Sequence, residues 1–293
     1  MIGLRLPKIL LLILLPLLLT ACAPAAEPAE IAATTGPVAQ FAEAITAGTD
    51  LTVTQVISDS VSCLHDYSLS VRQMEAIEQS QVVLLSGAGL EEFMEDALES
   101  AELVVDCSAG VDLHHLEGHH EDDGHDHGHF DPHIWLDPAN AIIMSENICQ
   151  ALTSLYPEYT DFFQTNKAAL IHELEELDAY GQETLRALSC RELITFHDGF
   201  GYLAAAYDLE ILEAIEEESG SEASAMELIH IIEHVEEHRL PAIFTEINGS
   251  ASAASIIAAE IGVASYPLDM AMGGSDYFAA MRYNMDTLKT ALH

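Results

Sequence analysis

Basic residues are scarce in this chain: nine Lys and Arg stand against 49 Asp and Glu over 293 residues, a formal net charge of −40 with the 15 His counted as neutral. No basic stripe offsets the repulsion of a phosphate backbone, which excludes nucleic acid as a partner. A field of this sign instead concentrates cations at the surface. Cysteine is sparse too, five in all, and no two are spaced C-x-x-C, which weakens the case for a thiolate zinc site. Neither a Ser nucleophile elbow nor a phosphate-cradling glycine loop is present. The apolar run at residues 9–19 is only 11 residues long, too short to span a bilayer as a permanent helix. What the chain does have is 49% hydrophobic residues in periodic segments, which argues for a folded chain despite the charge. Its length suffices for one large domain or two lobes of roughly 120 residues each.

Arg5 and Lys8 precede the apolar run, the layout of an export signal. The run ends Leu19-Thr20-Ala21-Cys22, which resembles the bacterial lipobox, where cleavage precedes the cysteine and a diacylglycerol is placed on its thiol. The expectation is a lipoprotein signal peptide at 1–21, lipidation at Cys22 and a flexible Ala/Pro/Glu tether at 22–28, leaving an extracytoplasmic chain anchored to the bacterial membrane. Removing Arg5 and Lys8 leaves 7 cations against 49 anions, a net charge of −42. Cys63, Cys107, Cys149 and Cys190 then sit where disulfides can persist, and four cysteines allow three pairings. Cys63 and Cys107 both follow strand-like runs, so one bridge between neighbouring strand ends is one expectation and free buried thiols are the other.

From about residue 30 short β-like runs alternate with amphipathic stretches. Strands are expected at 31–34, 51–57, 82–85 and 103–105, with helices at 38–47, 68–79 and 90–98. A second set of strands follows at 193–196, 209–212, 242–246 and 263–266, alternating with helices near Gly201, Ala225, Ala251 and Tyr277. This is the βαβ rhythm of parallel sheets covered by helices, and it predicts an α/β chain of two lobes, 29–157 and 189–293. Residues 158–188 contain no Pro and one Gly, with apolar positions at Phe163, Leu170, Leu174, Leu177 and Leu185. They read as one long connector helix of roughly 46 Å that would stiffen the hinge. In open α/β sheets ligands bind at the carboxyl ends of the strands, here the cleft between the lobes.

Thirteen of the 15 histidines fall into three populations, and His172 and His293 carry no signal beyond their surroundings. His114, His115, His119, His120, His125, His127 and His129 lie in a Gly- and acid-rich stretch, 114–129, with no apolar face to bury. That composition predicts a mobile loop holding zinc or other borderline metals weakly and in several arrangements. His65, His133 and His197 each stand beside a strand-like run, and Asp269 follows the last strand. Any one of these histidines alone would pass for a hydrogen-bonded core residue, but their shared position at strand ends points to metal ligands. His230, His234 and His238 recur every four residues and form one stripe of a helix. Although His234-Val235-Glu236-Glu237-His238 fits an inverted zinc-peptidase pattern, only 55 residues follow it, and the stripe reads as the polar face of a helix whose apolar side holds Ile229, Ile232 and Val235.

These segments resemble a known family, the solute-binding lipoproteins of zinc and manganese ABC transporters. The matching residues are His65-Asp66-Tyr67, Ser86-Gly87-Ala88-Gly89-Leu90-Glu91 and Asp131-Pro132-His133-Ile134-Trp135-Leu136-Asp137-Pro138. Beyond the connector they continue as Phe196-His197-Asp198-Gly199-Phe200-Gly201-Tyr202, then Ala242-Ile243-Phe244-Thr245-Glu246 and Leu268-Asp269. They run in the family's order over nearly the whole exported chain. The resemblance implies two lobes on a rigid helix, a metal between them, and the ligands His65, His133, His197 and Asp269, with Glu246 or water as the alternative fourth donor. Cys63-Leu64 stands where the family usually has Asp-Pro, which leaves the loop geometry before His65 open. Three imidazoles and one carboxylate suit tetrahedral Zn²⁺, whereas Mn²⁺ prefers more oxygen donors. The resemblance therefore implies a zinc-binding transport component rather than an enzyme, partnered by a membrane permease and its ATPase, with Mn²⁺ as the alternative cargo. A secreted zinc hydrolase built on His234 and His238, or on an open three-His centre, is the competing class; adhesion by the exported surface is a third.

Overall fold

The computed structural model describes residues 30–58, 64, 67–115, 130–216, 225–247, 258, 260, 262–273 and 275–293. Outside the described residues lie the export segment, Cys22, Cys63, His65, and the loop histidines His119, His120, His125, His127 and His129.

The first sheet is built from β1 (Ile31–Ala33), β2 (Val53–Gln55), β3 (Val82–Leu85) and β4 (Val104–Asp106), in the order β2-β1-β3-β4 and parallel throughout. β1 is buried along its whole length and β3 nearly so, as expected of central parallel strands covered on both faces. Helices α1 (Gly36–Thr46), α2 (Val71–Gln79) and the single turn α3 (Glu95–Leu98) accompany these strands. α2 starts where Ser70 and Gln73 form a reciprocal capping box. The helix expected at 90–98 is instead a 3₁₀ turn, Glu92–Met94, followed by α3, because positive φ at Gly87, Ala88 and Gly89 holds the preceding chain in a tight turn.

The second sheet repeats the plan with β5 (Glu192–His197), β6 (Glu210–Glu216), β7 (Ala242–Glu246) and β8 (Ala264–Leu268), in the order β6-β5-β7-β8 and again parallel. Helix α4 (Pro138–Leu155) precedes α5 (Thr160–Leu185); α6 (Gly201–Ala206), α7 (Ala225–His238) and α8 (Tyr277–Leu292) belong to the second half. The helix expected near Ala251 lies largely outside the described residues. The connector is α5, 26 residues or about 39 Å, with Phe163, Leu170, Leu174, Leu177 and Leu185 buried. It packs against α1, α4 and α8, so its apolar stripe ties helices from both ends of the chain.

Hydrogen bonds to backbone carbonyls join the two halves beside the strand ends. The Gly36 amide donates to the Met272 carbonyl at 2.8 Å, and a Cβ on Gly36 would lie 2.6 Å from that oxygen. Trp135 Nε1 donates to the Met270 carbonyl and the Tyr277 hydroxyl to the Trp135 carbonyl, each at 2.8 Å. One apolar core runs through both halves, and a smaller one beneath α7 holds Ile194, Phe196, Ile215, Ile231, Val235, Leu240 and Ile243. Cys107, Cys149 and Cys190 are free thiols, so the expected Cys63–Cys107 bridge is not formed; Cys107 is fully buried, which pushes its thiol well above the usual range. Among the described residues no helix is long and apolar enough to cross a membrane.

Candidate metal centre

The carboxyl ends of the second sheet's strands supply three of the expected donors. His197 is the last residue of β5, Glu246 the last of β7, and Asp269 follows β8 directly. From the first half, His133 leads into a 3₁₀ turn, Ile134–Leu136, whose three side chains are fully buried. That burial fixes the backbone on which His133 stands.

His133 and His197 meet edge to face, with ring centroids 5.1 Å apart and Nε2 atoms 3.4 Å apart. Both are nearly buried, at 7% and 5% exposed. Two donors on a tetrahedral Zn²⁺ with bonds of about 2.1 Å would be separated by about 3.4 Å. The pair therefore already has the spacing of two corners of such a site. Asp131 settles which nitrogen faces inward. Its Oδ1 accepts from the His133 backbone amide at 2.9 Å and lies 2.7 Å from Nδ1, so the ring proton is held at Nδ1 and the Nε2 lone pair is left for a ligand. On the other ring, Glu246 Oε1 lies 3.7 Å from His197 Nδ1, on the side away from Nε2. Glu246 thus lies beside the Nδ1 edge of His197, and both side chains are buried. The Asp269 carboxylate accepts from the Ala271 amide at 2.8 Å and from the Ser275 hydroxyl, and its backbone is clamped by Asn284.

Two glycines make the approach possible. A Cβ on Gly199 would fall 2.6 Å from the His197 ring and 2.8 Å from the Met270 methyl, and one on Gly201 would fall 2.9 Å from Asp131 Oδ2. Asp131 and these glycines lie in Asp131-Pro132-His133 and Gly199-Phe200-Gly201, whose Asp-x-His and Gly-x-Gly spacings are the sequence signal for them. At the foot of the His-rich loop, His114 stacks on Tyr202 at 4.1 Å and 9°, and its amide donates to the Tyr202 hydroxyl at 3.0 Å. His115 bridges to Phe130 across the loop's two ends. Burial pushes the Tyr202 phenol up, which keeps the hydroxyl protonated.

A family model described as the periplasmic component A of the zinc-uptake complex matches residues 31–291. The chain belongs to that family. Among curated relatives, zinc-binding protein AdcA of Streptococcus pyogenes serotype M3 is 29% identical over 252 residues, covering 77% of this chain and 49% of its own length. A putative metal-binding protein of Treponema pallidum is 27% identical over 257 residues, covering 83% and 81%. The chain spans about half the length of the AdcA relatives it matches. A crystal structure of ZnuA superposes with a TM-score of 0.79 at 28% identity, covering 90% of this chain and 98% of that one. The Zn(II)-bound ZnuA-like domain of Streptococcus pneumoniae AdcA gives 0.74 at 27%, covering 89% and 98%. The two four-stranded sheets and long connecting helix are the two-lobe fold of the ZnuA family.

The peptidase-like pattern on α7 does not assemble as such a motif. His238 Nδ1 is engaged with Glu192 Oε2 at 3.0 Å, and its ring stands 5.9 Å from that of His234. The stripe is largely the expected polar face, except that Ile231 and Val235 fill the core while Ile229 is 56% exposed.

Proposed function

We propose that this ZnuA-family chain is the substrate-binding lipoprotein of a zinc importer. It captures Zn²⁺ between its two lobes, 29–157 and 189–293, and hands it to a membrane permease driven by an ATPase. The cargo is held by His133, His197, His65 and Asp269, with Glu246 beside the Nδ1 edge of His197. The lipid on Cys22 keeps the protein beside its permease, and the histidines of 114–129 raise the local metal supply. The observation that carries the reading is the buried pair of Nε2 atoms, 3.4 Å apart, with the His133 tautomer set by Asp131. Four protein donors close the shell and leave no position for a substrate or a nucleophilic water, the mark of a binding site rather than a hydrolase. The zinc names of the relatives and the preference of imidazole for borderline metals support Zn²⁺ over Mn²⁺.

The test is native mass spectrometry with elemental analysis of residues 23–293, alone and with His65, His133 or His197 replaced by alanine. One tightly held zinc in the wild type, lost from each variant, is the expected result. Manganese in the wild type would overturn the choice of metal, and retention of the tight ion by the His133 or His197 variant would overturn the site.

A further inference from the structure

Glu213 on β6 and His230 and His234 on α7 bring one donor atom each within 4.8 Å of one another, a group that shares no residue with the His133–His197 pair. The two histidines are four residues apart, which stacks them on one helical face with ring centroids 4.4 Å apart. Glu213 reaches them through an irregularity in the strand. Along β6, Ile211 is opposite Leu193 and Glu213 is opposite Ile194, so Leu212 is an extra, bulged residue. A bulge re-aims the chain after it, and Glu213 comes to lie on the α7 side together with Ile215 of the small core.

Glu213 Oε1 lies 3.2 Å from His230 Nδ1, and Oε2 lies 3.5 Å from His234 Nδ1. The Oε2–His234 separation is close to the edge of a tetrahedron around a zinc with bonds of about 2.1 Å, near 3.4 Å, while the Oε1–His230 contact is a hydrogen bond that a bound cation would replace. A second observation points the same way. His234 Nδ1 and Glu213 Oε2 are closed to solvent, face each other, and have no hydrogen-bond partner among the described residues. Buried polar atoms are ordinarily satisfied; a cation between them would satisfy both at once. His230, more than half exposed, opens the site to solvent.

We propose that Glu213, His230 and His234 form a second site for a borderline divalent cation, occupied by Zn²⁺. Two imidazoles select against Mg²⁺ and Ca²⁺, which take oxygen donors. Three protein donors leave one position for water, so this site binds more weakly than a closed four-ligand site and exchanges its ion from the surface. It shares no residue with the site between the lobes and stands or falls independently of it.

The experiment uses the chain from residue 23 to 293 in a series of buffered free-zinc concentrations, with carbethoxylation of each histidine read by peptide mass spectrometry. Residue-level reading separates α7 from the His-rich loop. His230 and His234 are expected to become protected together, with one midpoint. Glu213→Gln should raise that midpoint at least about tenfold, and His234→Gln should abolish protection of His230, while the His133 and His197 profiles stay unchanged in both. In a His133→Ala, His197→Ala variant the α7 midpoint should stay where it was, which separates failure of the central site from failure of this one. The proposal is overturned if His230 and His234 react at a zinc-independent rate in the wild type, or if Glu213→Gln leaves their midpoint unmoved.

Discussion

Asp131 and Glu91 are two buried carboxylates with opposite duties. Asp131 spends its Oδ1 on both the amide and the ring of His133. Asparagine in its place could keep one contact but would no longer favour the Nδ1–H tautomer over the wrong one. Asp131→Asn is therefore expected to weaken zinc binding about 10- to 100-fold with the fold intact, the range found when a ligand's outer partner is lost; competition against a chelator of known affinity would measure it. Glu91 has no part in the metal centre. It closes the carboxyl ends of β1 and β3, accepting from the Thr34 hydroxyl and from the Ser86 and Gly87 amides at 2.7 and 3.0 Å. Burial raises its pKa to about 7, against those hydrogen bonds, which act to lower it. A carboxyl with a raised native pKa binds its proton more strongly in the folded chain than in the unfolded one. Its contribution to stability is thus complete below about pH 4.5 and is lost as pH climbs through about 7. The span is on the order of 3 kcal/mol. Urea midpoints of the zinc-free protein at pH 5 and 8 should fall further with rising pH in the wild type than in Glu91→Gln. Equal falls in the two proteins would remove Glu91 as the cause.

The connector helix carries a test of how closely its neighbours fit. Gly181, the only glycine in α5, is buried, and a Cβ there would lie 2.4 Å from the Tyr207 ring. Alanine favours a helix over glycine by about 1 kcal/mol, which alone would make Gly181→Ala stabilising. The clash decides otherwise, because Tyr207 is itself buried and overpacking costs about 1–3 kcal/mol. A lowered melting temperature is expected, and a rise would show that Tyr207 can swing away. The long connector was legible in the sequence because Phe163 to Leu185 repeat at helical spacing over a stretch without proline. β3 and β7 were legible to the residue as short apolar runs. Helix α4 was not anticipated, although Asp137 caps it by accepting from the Ala139 amide and Pro138 opens it, both ordinary start signals. His197 and Asp269 were legible as donor types at strand ends, but His133 stands before a 3₁₀ turn rather than beside a strand, and the pairing of Glu213 with His230 and His234 depends on a bulge and a helix docking onto a strand. Neither leaves a local pattern in the sequence.

On the proposed function, the chain's net charge of −40 bears on how fast zinc arrives more than on how tightly it is held. A field of that sign raises the cation concentration near the surface and is screened by salt over a Debye length of about 10 Å at 0.1 M, while the Nε2 pair between the lobes is shielded from solvent. Association rates followed by stopped flow should therefore fall several-fold between about 10 mM and 500 mM ionic strength, with dissociation nearly unchanged. Deleting residues 117–129 removes five histidines and five acidic residues but leaves most of the negative charge in place. If the loop acts by passing on ions held on its imidazoles, the deletion slows uptake from scarce zinc at every ionic strength and leaves the salt dependence and the one-to-one tight binding as they were. A deletion that abolished the salt dependence would place the steering field in the loop itself. One that destroyed tight binding would mean that the loop, pinned at its foot by His114 on Tyr202, holds part of the central site.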